Sequence, residues 1–172
     1  MSSVSKNFER KRKAFTGVKN MTLITPSKWL ADLTRQSFLK EYPVEVHYNT
    51  IDTSIFKPTP SDFRERYGLQ DKIIVLVGLS EKQIKDLPKN IKGIQRTNSP
   101  QELAAIYTAA DVFVNPTYED NYPTVNLEAQ ACGTRVITYD TGGCKETLNT
   151  KESTLVQAGA IQVVAEMIEE KA

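Results

Sequence analysis

Cysteine and histidine are scarce: Cys132, Cys144 and His47 are all the chain has. Two thiols with no second pair and no neighbouring histidine give neither a disulfide framework nor a zinc cage, so each cysteine reads as a small packing residue and no metal is expected. There is one Trp, and aromatic residues make up 8% of the sequence. That is too few to suggest an aromatic sugar-binding groove. No secretory signal and no apolar run of membrane-spanning length is visible, which points to a reducing cytoplasmic setting. Charge of one sign is also missing: the net charge is +1. Nucleic acid is therefore not an expected partner.

The charge is uneven, however. Lys6, Arg10, Lys11, Arg12, Lys13 and Lys19 face Glu9 alone in the first twenty residues. A solvated helix face is the simplest reading, and peripheral contact with the inner face of a membrane or with an acidic partner is the other. At 172 residues the chain suits one domain, or one domain with a piece of a neighbour.

Residues 6 to 19 read as a charged helix closed by Gly17, and "MTLITPS" as a short strand stopped by Pro26. Ser27 caps a helix over "KWLADLTRQSFL", with Trp29, Leu30, Leu33 and Leu39 toward one face and Trp29 as core anchor. "VEVHYN" is a further strand, and the two-proline stretch that follows suits a linker. After the helix "SDFRERYG", the run "KIIVLVGL" has the apolar, β-branched character of a parallel strand buried on both faces. Helices are expected over "EKQIKDL", "SPQELAAIYTAA", "TVNLEAQAC" and "IQVVAEMIEEK", alternating with strands "IKGIQR", "DVFVNP" and "RVITYD". This alternation predicts an α/β, doubly wound parallel sheet of Rossmann-like type.

In such sheets ligands bind beyond the carboxyl ends of the strands. The longest loop there, 115 to 124, carries Glu119 and Asp120, and Glu128 lies on the helix behind it. These acids could be a hydrolytic pair, a metal site, a ligand grip or solvated charges. The first amides of that helix, at Thr124 and Val125, form a natural anion site. An acidic wall beside an anion seat suits a ligand with both phosphate and hydroxyls, as in a nucleotide sugar. Gly142-Gly143, after the next strand, either lets backbone approach a ligand or simply turns tightly.

The block "NPTYEDNYPTVNLEAQACGTRVITYDTGGCKETL" resembles the signature of the retaining nucleotide-sugar glycosyltransferases of the GT-B fold, family four. Upstream, "TPSKWLADLTRQSFL" and "VEVHYNTIDTSIFKP" resemble that family's segments at the junction of its two halves. The resemblance implies transfer of a sugar from a nucleoside diphosphate sugar to a saccharide or lipid-linked saccharide acceptor, with retention and no cofactor. It makes Asp120 or Glu119 the candidate catalytic, sugar-binding acid. Counting back eight residues from Glu128 favours Asp120. Glu128 would hold the ribose. Asn121, Tyr122, Pro123, Thr124, Val125, Gly142 and Gly143 would bind the donor, the amides of Tyr122, Thr124 and Val125 stabilising the departing diphosphate, and Gln95, Arg96 and Thr97 would lie near the base. The "Glu-Asp-Asn-x-Pro" variant is associated with bacterial surface polysaccharide synthesis.

Against that pattern, residues 1–50 correspond only to the end of an amino-terminal domain, 51–62 to a linker and 63–172 to the donor-binding domain. Thr50 stands for the usual Gly and Arg135 for the usual Pro. "RERYGLQDK" runs straight into "IIVLVGL", so one strand-turn-helix unit of roughly thirty residues is missing, with its phosphate-clamping Arg and Lys. The chain as it stands is therefore expected to be inactive and to bind nucleotide weakly. A non-catalytic binding or assembly fragment is the alternative. Apolar surface left uncovered could drive self-association into a homo-oligomer.

Overall fold

The computed structural model describes residues 3–77, 97 and 99–170. The chain divides into two compact units, Met1–Asn49 and Thr50–Ala172.

In the first unit, helix α1 (Ser3–Phe15) precedes strand β1 (Leu23–Thr25), helix α2 (Lys28–Arg35) and strand β2 (Val44–Val46). The two strands pair in parallel, Leu23 opposite Val44 and Thr25 opposite Val46. Ser27 caps α2, its Oγ accepting from Leu30 N at 3.1 Å. The Tyr42 hydroxyl pins the end of α1, donating to Phe15 O at 2.8 Å and accepting from Val18 N at 3.0 Å. α2 is shorter than its apolar pattern predicts, because Gln36 closes it and residues 37–42 continue as turns. Its face also differs from expectation. Ala31 is the buried residue, Trp29 is only half-buried and Leu33 is exposed. Ala31 is the one apolar residue classed as buried among the described residues of this unit, so little hydrophobic burial holds it together.

The second unit carries a parallel four-stranded sheet in the order β3 (Val75–Val77), β4 (Val112–Asn115), β5 (Arg135–Tyr139), β6 (Thr154–Val156). Helix α3 (Phe63–Tyr67) precedes β3, and α4 (Pro100–Ala109) leads into β4. Helix α5 (Thr124–Ala131) joins β4 to β5, a 3-10 turn (Cys144–Thr147) joins β5 to β6, and α6 (Ile161–Glu169) follows. Gly68 ends α3 at φ +63°, a conformation that disfavours a side chain. Ser99 caps α4 with Pro100 behind it, as the sequence predicts. The expected elements "EKQIKDL" and "IKGIQR" lie outside the described residues.

Strand residues alternate between two cores, the signature of a sheet covered on both faces. Phe113 and Val136 pack with Ala104, Tyr107, Ala129 and Cys132 of α4 and α5 and the turn after α5. Val112, Val114, Ile137 and Tyr139 pack with Val156 and with Val164 of α6. Both cysteines are buried and free. β6 was not legible in the sequence. β3 lies directly beside β4, Val75 opposite Val112.

The segment leading into β3 is anchored at the amino edge of the sheet. Arg64 donates to Asp111 Oδ2 at 2.7 Å and to Lys72 O at 3.0 Å, and Ile74 N donates to the same Asp111 oxygen at 2.8 Å.

Candidate functional site

The carboxyl ends of β4 and β5 carry the loop 116–123 and the Gly142-Gly143 turn, and these two segments are joined through backbone. Gly143 N donates to Asp120 O at 2.9 Å, and Thr141 Oγ1 donates to Thr117 O at 2.8 Å. Gly142 adopts φ +53°, and a Cβ there would sit 2.0 Å from the Asp120 carbonyl oxygen. Glycine at this position is a steric requirement, not merely a turn preference.

Asp120 and Glu119 have different surroundings. Asp120 is half-buried, and its Oδ1 accepts from Tyr122 N at 2.9 Å. Glu119 is exposed, and within the loop its backbone oxygen accepts from Thr117 Oγ1 at 3.1 Å. Two of the amides at this edge, those of Tyr122 and Gly143, are thus engaged by Asp120 itself. Pro123 is buried, has no N–H, and stands at the N-cap position of α5 without a side-chain cap. The amides of Thr124 and Val125 open the helix, where intrahelical acceptors are absent by geometry. Asn121 and Val125 are exposed, and Tyr122 is buried.

Glu128 sits one turn further along α5, half-buried, with Tyr107 Oη 3.4 Å from its Oε2. Burial raises the Glu128 pKa, and the Tyr107 hydrogen bond opposes that shift. Burial, with the nearby Glu128 charge, also pushes the Tyr107 hydroxyl up. Tyr107 is fixed by edge-on stacking against Phe56 and Phe113, with ring centroids 6.4 Å and 5.4 Å away.

Behind these loops runs a buried polar chain that the sequence reading missed. Asn115 Nδ2 donates to Asn126 Oδ1, and Asn126 Nδ2 to Thr147 Oγ1, each at 2.9 Å. Thr147 Oγ1 donates to Cys144 O at 2.6 Å. Gln130 Nε2 reaches Asn126 O and Thr147 O, both at 2.8 Å, and its Oε1 accepts from Asn149 N and Thr150 N. The available signal was the spacing of Asn126 and Gln130, four apart and hence on one helix face.

Thr97, expected near a base, is engaged locally: it donates to Glu102 and accepts from Ser99 N at the start of α4. Arg96 and Gln95 lie outside the described residues. No group of three or more His, Cys, Asp or Glu side chains is placed to hold a metal among the described residues.

A groove of about 430 Å³ opens at the opposite, amino edge of the sheet, lined in part by Asp111, Gln130, Thr134, Arg135 and Thr150. These groups already have partners: Arg135 donates to Met167 O at 3.1 Å, and Thr134 to Tyr107 O.

A parallel sheet with helices on both faces and loop-to-helix turns at its carboxyl edge is the α/β architecture of GT-B glycosyltransferases. Anabaena HepE in complex with UDP-glucose superposes over 96% of this chain and 57% of its own, at a TM-score of 0.73 and 17% identity. Sucrose-phosphate synthase from Thermosynechococcus elongatus does so over 96% and 52%, at a TM-score of 0.80 and 20% identity. Residues 62–170 match the family described as glycosyl transferases group 1, and the chain belongs to that family.

Among its relatives, the D-inositol 3-phosphate glycosyltransferase of Corynebacterium jeikeium is 42% identical over 60 residues, 35% of this chain and 14% of that protein. The enzyme of the same name from Saccharomonospora viridis is 31% identical over 115 residues, 59% and 27% respectively. The chain thus spans only part of the length of these relatives.

Proposed function

We propose that this chain is the donor-binding part of a retaining, family-four glycosyltransferase, which moves a sugar from a nucleoside diphosphate sugar to an acceptor hydroxyl in surface polysaccharide synthesis. The observation that carries the reading is the backbone junction of the Asp120 loop with the Gly142-Gly143 turn, next to the uncapped start of α5. That junction puts carboxylates and open amides at one edge of the sheet, the combination a sugar diphosphate requires. HepE, of the same fold, holds UDP-glucose.

In this proposal Glu128 takes the ribose hydroxyls and Asp120 the transferred sugar, with Glu119 at the rim. The amides of Thr124 and Val125 stabilise the departing diphosphate, as fixed dipoles aimed at developing charge. The Tyr122 amide serves to orient Asp120. No cofactor is invoked beyond the donor. Residues 1–50 represent the end of an acceptor-side domain, and 51–62 its link to the donor domain.

A second reading, a nucleotide-sugar binding fragment without turnover, is favoured by the segment between α3 and β3. The Arg64 guanidinium of α3 is tied to the backbone oxygen of Lys72 in that segment and to Asp111, at the amino edge of the sheet. A phosphate clamp would have to lie at the other edge.

Titration calorimetry with UDP, GDP and ADP and their sugar conjugates, followed by a transfer assay, separates the two. Binding with turnover supports the enzyme, binding alone supports the fragment, and failure to bind any nucleotide defeats both. The basic α1 is proposed as a contact for anionic membrane. Sedimentation with phosphatidylglycerol vesicles but not phosphatidylcholine vesicles is expected; no difference between them would end that idea. No helix among the described residues is long and apolar enough to cross a membrane.

A further inference from the structure

We infer that Asn126 and Thr147 are positioning residues that set the distance between the first turn of α5 and the Gly142-Gly143 turn. The inference rests on the nucleotide-sugar reading of the site only for its ligand.

The geometry is specific. Asn126 is 0% exposed, two residues inside α5, and its side-chain amide spans from β4 to the 3-10 turn that follows Gly143. Thr147, also 0% exposed, accepts from that amide and donates its own hydroxyl hydrogen bond to Cys144 O, closing the 3-10 turn. Gln130 adds a second tie from α5 to the same turn, through Thr147 O. Asn126 and Thr147 do not reach solvent, so neither is placed to touch a ligand. An apolar residue of similar size would fill the same space. What it would lack is direction: hydrogen bonds to both flanking segments fix their separation, whereas apolar packing tolerates sliding. The Thr124 and Val125 amides must face the diphosphate while the Gly142-Gly143 turn holds the Asp120 loop beside them through Gly143 N, and that relation needs the separation held, because misplacement by a fraction of an ångström removes much of the benefit.

The test uses the chain itself with Asn126→Leu, Thr147→Val, Thr147→Ser and the Asn126→Leu/Thr147→Val pair. Amide hydrogen exchange is measured at Gly143, whose N–H is bonded to Asp120 O, and in β5 as the reference. A positioning role predicts exchange at Gly143 faster by about tenfold or more in the Leu and Val variants, with β5 unchanged and Thr147→Ser close to the parent. The pair is expected to fall short of the sum of the two single changes, since both break the Asn126–Thr147 bond and each breaks one further bond of its own. Nucleoside diphosphate affinity should fall by about tenfold while affinity for the plain nucleoside holds. Equal loss for both ligands, or a melting change with Gly143 exchange unaltered, would overturn the inference in favour of a purely structural role. If the parent binds no nucleotide, the functional reading fails and the exchange measurement still decides the spacing role. If Asn126→Leu does not fold, Thr147→Val against Thr147→Ser gives the same decision.

Discussion

Tyr107 Oη lies 3.4 Å from Glu128 Oε2, joining a ring stacked between Phe56 and Phe113 to a half-buried carboxyl on the neighbouring helix. The distance is long for a hydroxyl donor, so the contact steers more than it binds. Tyr107→Phe keeps the ring packing and is expected to cost under about 1 kcal/mol in denaturant unfolding. Tyr107→Ala removes the stacked ring and should cost about 3–5 kcal/mol.

Burial raises the Glu128 pKa above its ordinary 4.5. A carboxyl that holds its proton more firmly when folded supports the fold below the ordinary glutamate range and withdraws that support as pH rises through its elevated folded value. Glu128→Gln should therefore flatten the fall in stability across that window, read from melts at stepped pH. On the ribose-binding role proposed for Glu128, nucleotide affinity should run the other way, rising over the same window as the carboxylate forms. In Tyr107→Phe, which loses the opposing hydrogen bond, the midpoint of that rise should move to higher pH. A midpoint shared by the parent and Tyr107→Phe would show that the contact does not tune the carboxyl.

The two acids of the loop should separate in stability as well as in role. Asp120→Ala leaves the Tyr122 amide without its acceptor and is expected to cost about 1 kcal/mol. Glu119→Ala, at an exposed position, should change unfolding by no more than about 0.5 kcal/mol. Nucleotide-sugar affinity that falls for Glu119→Ala and not for Asp120→Ala would reverse the register proposed here.

Gly142→Ala combines a strained φ of +53° with a Cβ placed 2.0 Å from Asp120 O, so the loop must shift. A loss of about 1–3 kcal/mol is expected, with weaker nucleotide binding measured in the same preparation. Unchanged stability would mean that the junction is not closed in solution.

In the sheet, Ile137 is fully buried among Val112, Val156 and their neighbours, and Ile137→Ala should cost about 2–5 kcal/mol in a urea melt.

Local signals carried much of the fold. Gly68 as a helix stop, Ser99-Pro100 as a helix start, and the apolar runs "DVFV" and "RVIT" each specify structure within a few residues, and each reappears in the fold. Thr154–Val156 did not declare itself, because three residues carry no periodicity and become a strand only by pairing with β5. Trp29 and Ala31 traded places for a related reason: pattern identifies apolar positions but not which of them a neighbour covers. At the site, the residue types and the edge of the sheet were readable. The engagement of the Tyr122 amide by Asp120 was not, and neither was the tie from Asn126 to Thr147, which closes 21 residues of chain and exists only after folding.

The close approach of Gly142 to Asp120 also matters for redesign. The two loops meet backbone to backbone with no room for a side chain between them. They are consequently one inheritable part: grafting the acidic loop of a relative should succeed only when its glycine turn is transplanted along with it.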